Sequence, residues 1–161
     1  MPLMPGYIVR AADRRADNEL SSSHPYNPSS EIHGHPLSRA VGLKRVGLWS
    51  VRLPPGKESF VYHRHRFEEE LIYALSGRAV VEIEDERHEI GPGDFVGFPA
   101  GVAHHLLNPF AEDFLYLSGG ENRDFEVADY PRLGKRMVRI GERADIYPVD
   151  AVEAMQGAEK L

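Results

Sequence analysis

Along the middle of the chain, apolar and polar residues alternate with a period of two. Trp49, Val51 and Leu53 fall on one face of an extended segment, and Leu48, Ser50 and Arg52 fall on the other, the signature of a strand. Pro54-Pro55-Gly56 closes that segment, because proline lacks a ladder donor and glycine accepts a positive φ. Further short apolar runs follow at 60–65, 71–75, 79–83, 95–98 and 114–117, parted by turn residues such as Gly91-Pro92-Gly93-Asp94. The runs 71–75 and 79–83 are expected to form a hairpin through Ser76-Gly77, and 84–87 reads as a solvated charged turn. Many short strands separated by Gly and Pro turns predict an all-β antiparallel sandwich or barrel.

The flanks are less regular. Residues 1–40 read as an irregular arm in which Tyr7-Ile8-Val9 could pair as a short edge strand, followed by the breakers Pro25, Pro28, Gly34 and Pro36. Glu31, His33 and His35 alternate within it, but Gly34 and Pro36 interrupt any regular strand and no fourth ligand is in view, so they are read as loop residues and not as a second metal site. Residues 41–120 carry the barrel. Residues 121–161 read as a C-terminal extension packing on it, with an outer strand at 137–140 and a short helix that Asp150 would cap and Gly157 would stop.

Composition narrows the function classes. The 161 residues suffice for one domain with a sizeable core. The 19 basic residues against 25 acidic ones give a net charge of −6 and form no basic stripe, which argues against nucleic acid as a partner. Cysteine is absent, removing disulfides and thiolate ligands. No apolar run approaches a membrane span and the N-terminus lacks a leader pattern, so a cytoplasmic protein is expected.

The chemistry concentrates between Gly56 and Asn108. His63 and His65 lie two apart on a predicted strand and therefore point the same way. With Glu70 just past them and His104 later, they make a His3Glu donor set for a first-row divalent metal. Neutral imidazole and carboxylate suit Zn, Mn, Fe, Co, Ni or Cu. Four protein ligands in an octahedral sphere would leave two positions for water or a ligand. Val61, Ile72 and Leu106 share faces with these ligands and are expected to line an apolar pocket, joined by Phe98. Tyr116 is a candidate catalytic phenol, or else a core tyrosine with an ordinary hydrogen bond. Tyr62, Arg64 and His105 are expected to face away from the centre, His105 as a surface or inter-sheet histidine, and Glu68 to be solvated. Nothing resembles a serine nucleophile elbow, a P-loop or a dinucleotide fingerprint.

Two segments carry a resemblance. Gly56, His63, His65, Glu70 and Gly77 match the first motif of the cupins, with one extra residue between Gly56 and His63; Gly93, Pro99, Gly101, His104 and Asn108 match the second without a gap. Among the adjacent glutamates, Glu70 fits because six residues then separate it from Gly77, while Glu69 would fit the looser form of the spacing. The chain thus resembles a single-domain cupin of the small bacterial type, some of which are labelled sugar-phosphate-isomerase-like. That resemblance implies a double-stranded β-helix (jelly-roll) barrel and one divalent transition metal such as Zn, Mn, Fe or Ni on His63, His65, Glu70 and His104. It implies a homodimer, which the outer sheet with Trp49, Val51 and Leu53 is expected to build. The ligand expected is a small oxygen-rich metabolite: a sugar derivative, hydroxy acid or enol. Cupins include isomerases, dioxygenases, decarboxylases, storage proteins and sensing modules, so fold alone does not choose between turnover and binding. For a phosphate, Arg52, Arg66 and Arg78 are the basic residues within imaginable reach.

Overall fold

Thirteen strands carry nearly all the regular structure in the computed structural model, which describes residues 6–151 and Glu153. In chain order they are β1 (Leu20–His24), β2 (Asn27–Pro36), β3 (Val46–Leu53), β4 (Glu58–His65), β5 (Glu70–Ser76), β6 (Ala79–Ile83) and β7 (Glu86–Ile90), then β8 (Phe95–Phe98), β9 (His104–Leu107), β10 (Phe114–Glu121), β11 (Phe125–Tyr130), β12 (Lys135–Ile140) and β13 (Arg143–Pro148). One layer runs β1-β2-β3-β10-β5-β8; the other runs β7-β6-β9-β4-β11-β12-β13. A single parallel pairing, Ser30 with Glu58, stitches β2 to β4 and joins the layers. The result is a curled jelly-roll barrel, as the alternation predicts.

Inward-facing residues of both layers make the core: Leu53, Ala74, Val81, Phe98, Leu106 and Phe114 are buried together. Val51 and Leu53 are 4% and 0% exposed, so they belong to this core and not to an outward dimer face. Directly paired residues share a face, and Val51 pairs with Tyr116 of β10, which is itself buried.

Several expectations change. Residues 20–36, read as irregular, form β1 and β2, while Tyr7-Ile8-Val9 lies in no strand. Gly34 is required there by close approach: a Cβ would sit 2.5 Å from the Ser50 carbonyl oxygen. Nor do β5 and β6 form a hairpin, since they belong to different layers. Gly77 turns the corner between them at φ 74°, with the Asp113 carbonyl so close that any side chain would collide. The outer strand expected at 137–140 is present as part of β12. The helix expected from Asp150 lies largely outside the described residues, which include only a single 3-10 turn at Val149–Ala151.

Candidate metal centre

The two sequence segments converge because β4 pairs with β9, setting His63 opposite His104. The register shifts between Ser59 and His63, so three residues, Phe60 to Tyr62, bulge opposite the single residue His105. Phe60 takes a φ of 43° in this bulge, a costly conformation for a bulky side chain that marks a locally imposed bend. The bulge falls in the stretch with one residue more than the cupin motif, between Gly56 and His63. Asn27, from the predicted arm, holds it: its amide donates to the Phe60 carbonyl at 2.6 Å and to Glu58 Oε2 at 2.7 Å. The motif ends also meet, with Gly56 N–H donating to the Asn108 carbonyl at 2.7 Å and Asn108 N–H to the Lys57 carbonyl at 2.9 Å.

Glu70 opens β5 and reaches across the barrel. Its Oε2 lies 2.7 Å from His104 Nε2, 3.3 Å from His65 Nε2 and 3.8 Å from His63 Nε2. His63 Nε2 and His65 Nε2 are 3.2 Å apart. Gly120 makes room for the glutamate, for a Cβ there would come 2.5 Å from the Glu69 carbonyl oxygen.

These donors fit a metal. His63 Nδ1 lies 2.7 Å from the Val61 carbonyl and His104 Nδ1 lies 3.0 Å from the Val102 carbonyl. A carbonyl only accepts, so each Nδ1 carries the proton and a neutral ring turns its Nε2 lone pair inward. Burial, then the neighbouring His104, pushes His63 down to about 3, which keeps that ring neutral. Lone pairs would then face one another and the Glu70 carboxylate, an arrangement a cation relieves. Donors about 2.0–2.1 Å from one ion stand about 3 Å from each other when adjacent, close to the spacings of 2.7–3.3 Å found here. Burial alone would raise the Glu70 carboxyl, but the imidazoles of His104 and His65 beside it outweigh that and hold it well below the ordinary value.

His65 has a second neighbourhood. Its buried Nδ1 makes no hydrogen bond among the described residues and stands 3.8 Å from Glu126 Oε2 and 3.9 Å from Glu68 Oε2. Burial would lower this imidazole, yet Glu70, then Glu126 and Glu68, raise it. Those two carboxylates are already committed. Glu126, fully buried, accepts the backbone N–H groups of Arg66, Phe67, Glu68 and Val127, and Glu68 accepts from Arg123 N–H and pairs with Arg139. Glu68 is therefore buried and paired, contrary to the solvated residue expected from a run of three glutamates. The cluster supports the ligand loop and does not read as a second centre. On β2, Glu31 binds His33 at 2.9 Å and Lys57 at 2.9 Å, while His35 turns to Asn18 at 2.8 Å.

The centre sits in the wall of a cavity of about 510 Å³. Ile72, Leu106 and Phe98 line it as expected; Val61 is buried but is not among the lining residues. Phe98 stacks on His104 at 3.8 Å between ring centroids. Leu20, Ile32 and Trp49 complete the apolar wall, and Leu20 and Trp49 remain partly exposed at the mouth. Tyr116 and Ser118 of β10 also line it. Burial, then the Glu70 charge, raises the Tyr116 phenol, so it stays protonated. His105 is buried on the other side of the layer, 3.4 Å from Glu58 and 3.9 Å from Glu82. The contributions of β1, β2 and β11 to this site left no sequence signal beyond ordinary apolar and acidic residues.

A family model described as Cupin domain matches residues 49–119. Among solved structures, the chain is similar to a provisionally assigned sugar phosphate isomerase of Acidithiobacillus ferrooxidans, at 33% identity and a TM-score of 0.86, over 93% of this chain and 97% of that one. It is also similar to a cupin-superfamily sugar phosphate isomerase of Silicibacter pomeroyi, at 25% identity and a TM-score of 0.72, over 78% of this chain and 81% of that one. An 11S globulin seed storage protein of Sesamum indicum is 31% identical over 88 residues, 52% of this chain and 19% of its own. The chain spans about half or less of the length of the curated relatives it matches.

Proposed function

This chain belongs to the cupin superfamily, and on that premise we propose that it binds one divalent transition metal through His63, His65, Glu70 and His104 and acts there on a small oxygen-bearing metabolite. The observation that carries the reading is that donor atoms of His63, Glu70 and His104 lie within 4.8 Å of one another in the cavity wall, with His65 Nε2 behind them at 3.2 Å from His63 Nε2 and 3.3 Å from Glu70 Oε2. When bound, a divalent ion would polarise a chelated carbonyl or carboxylate and stabilise developing negative charge.

The chain's own residues supply the rest. Val61 and Val102 carbonyls fix two imidazoles in the ligating tautomer. Phe98 and Ile72 keep the ligand side dry. To Tyr116, a lining residue held protonated by its burial and by Glu70, we assign the catalytic role of donating a hydrogen bond to a substrate oxygen. An accessible mouth at Leu20 and Trp49 supports a ligand-binding centre over one that only braces the barrel. The predominance of apolar walls favours a second reading, a cupin that binds its metabolite without turnover.

Elemental analysis tests the centre. Purified protein should carry metal, and the His63→Ala, His65→Ala double variant should lose most of it while keeping its strand content by circular dichroism. Full metal occupancy in that variant would refute the assignment. Turnover of a hydroxy acid, enol or sugar should vanish with chelator and return with one divalent metal. A ligand that binds tightly and is never transformed would decide for the binding reading.

A further inference from the structure

The charge of the cavity is unlike that of a phosphate site. Among the described residues that line it, none is lysine or arginine, and Glu70 is its one carboxylate. The arginines that could have served are committed elsewhere. Arg52 pairs with Glu19 at 2.7 Å, Arg78 pairs with Glu89 at 3.1 Å and lies over the Phe110 ring, and Arg66 is solvent-exposed. Lys57 binds Glu31. His33, the lining imidazole outside the ligand set, has its Nε2 on Glu31 as well.

A divalent ion beside one carboxylate leaves one net positive charge for the ligand. A chelating monoanion balances it. A phosphate dianion added to that chelate would bury charge with no guanidinium or ammonium to meet it, and unpaired buried charge is strongly disfavoured. The volume points the same way. About 510 Å³ is the size of a pocket for a drug-sized ligand, more than a bare hydroxy acid fills. Its walls beyond the centre include Leu20, Ile32, Trp49, Val51, Ile72 and Leu106, with hydroxyls supplied by Ser21, Ser22, Ser59, Tyr116 and Ser118.

We propose that this cavity takes a neutral or monoanionic oxygen chelator carrying a flat apolar body, and that it excludes sugar phosphates; the inference rests on the metal centre proposed above. The two chelating oxygens face His63, Glu70 and His104. The apolar body lies along Ile72 and Leu106 towards Trp49 at the mouth. This assignment departs from the activity named for the two similar structures and follows from the charges lining this cavity.

Trp49 is the chain's single tryptophan, so its emission reports occupancy directly. Zinc-loaded protein, with metal content measured on the same sample, is titrated with phenylpyruvate, with pyruvate and with glucose 6-phosphate. Phenylpyruvate should change Trp49 emission with an affinity at least tenfold better than pyruvate, and glucose 6-phosphate should leave emission unchanged. By calorimetry, Trp49→Ala should weaken phenylpyruvate by tenfold or more and pyruvate by less than twofold. Glucose 6-phosphate binding as well as phenylpyruvate, or no preference for phenylpyruvate over pyruvate on metal-replete protein, would overturn the inference while leaving the metal centre intact. Protein that takes up none of zinc, manganese, iron and nickel would overturn the centre itself, and the metal measurement separates the two failures.

Discussion

Glu82 is a buried carboxylate that stays charged because one guanidinium reaches both its oxygens. Arg132 donates to Glu82 at 2.9 and 3.1 Å and to Asp85 at 2.7 Å, while its plane lies 3.7 Å over the Tyr62 ring. The hydrogen bond from Arg132 holds Glu82 below the ordinary value of 4.5 despite partial desolvation. The folded pKa is depressed, so this pair's contribution is complete above pH 4.5 and fades as pH falls through the lower folded value. Arg132→Ala should cost roughly 1–3 kcal/mol at pH 7. In urea unfolding, the gap from the parent protein should shrink steadily below pH 4.5; a gap constant from pH 7 to pH 3 would remove Glu82 as its cause. Residues of this kind are illegible locally. Glu82 alternates with Val81 and Ile83 and so reads as a solvated outer residue, and its partner lies fifty positions away in a polar stretch. Glu68 misleads for the same reason, because Arg139 of β12 decides its burial. His63, His65, Glu70 and His104 stand out in the sequence because their chemistry needs particular residue types at fixed spacing on two strands.

At the scale of elements, the centre depends on a loop that its own sequence does not hold. Residues 66–69 join β4 to β5, and Glu126 of β11 gathers three of their N–H groups, those of Arg66, Phe67 and Glu68. Its Oε2 also faces His65 Nδ1. Glu126→Ala leaves the Phe67 and Glu68 donors without their acceptor, while Arg66 N–H keeps the Val127 carbonyl at 2.8 Å, at a cost of about 2 kcal/mol or more. Metal affinity should fall about 10- to 100-fold, the usual loss when an outer partner of a ligand is removed. Hydrogen exchange should speed up at the amides of Phe67 and Glu68 before it does so in β6 or β9. Unchanged exchange at those amides would sink the idea of Glu126 as a clamp. The strands that bear the motifs were legible, since their alternation and their turn glycines agree. β2 was not. Gly34 and Pro36 look like loop residues, yet Gly34 is there because β3 passes too close for a side chain, and Pro36 ends the strand. The supposed hairpin at Gly77 failed for a related reason. A glycine with positive φ serves a tight turn and a corner between layers equally well, and only long-range pairing tells them apart.

For the whole molecule, the open question of assembly moves from one face of a layer to the other. Trp49, Val51 and Leu53 face inward, so the outward side of the same layer is what a second copy could cover. There Phe95 of β8 pairs with Tyr73 of β5, Tyr73 pairs with Leu117 of β10, and Leu75 and Leu115 lie alongside. Phe95 is 64% exposed, and Tyr73, Leu75 and Leu115 are exposed as well. A contiguous apolar patch on an antiparallel layer is costly in water and is commonly an interface. We propose that two copies pack these faces together about a two-fold axis, so that the same patch serves both. Light scattering at micromolar concentration should then give twice the chain mass of 18.1 kDa. The Phe95→Glu, Leu75→Glu double variant should give the single mass with its far-ultraviolet spectrum preserved, because both side chains point away from the core. Its metal content should also persist, since the centre lies on the inward side and draws its ligands from one chain. A parent protein that is monomeric under those conditions would rule out the dimer. A dimer that survives the double substitution would place the interface on another surface, with the exposed edge of β13 the next to be blocked.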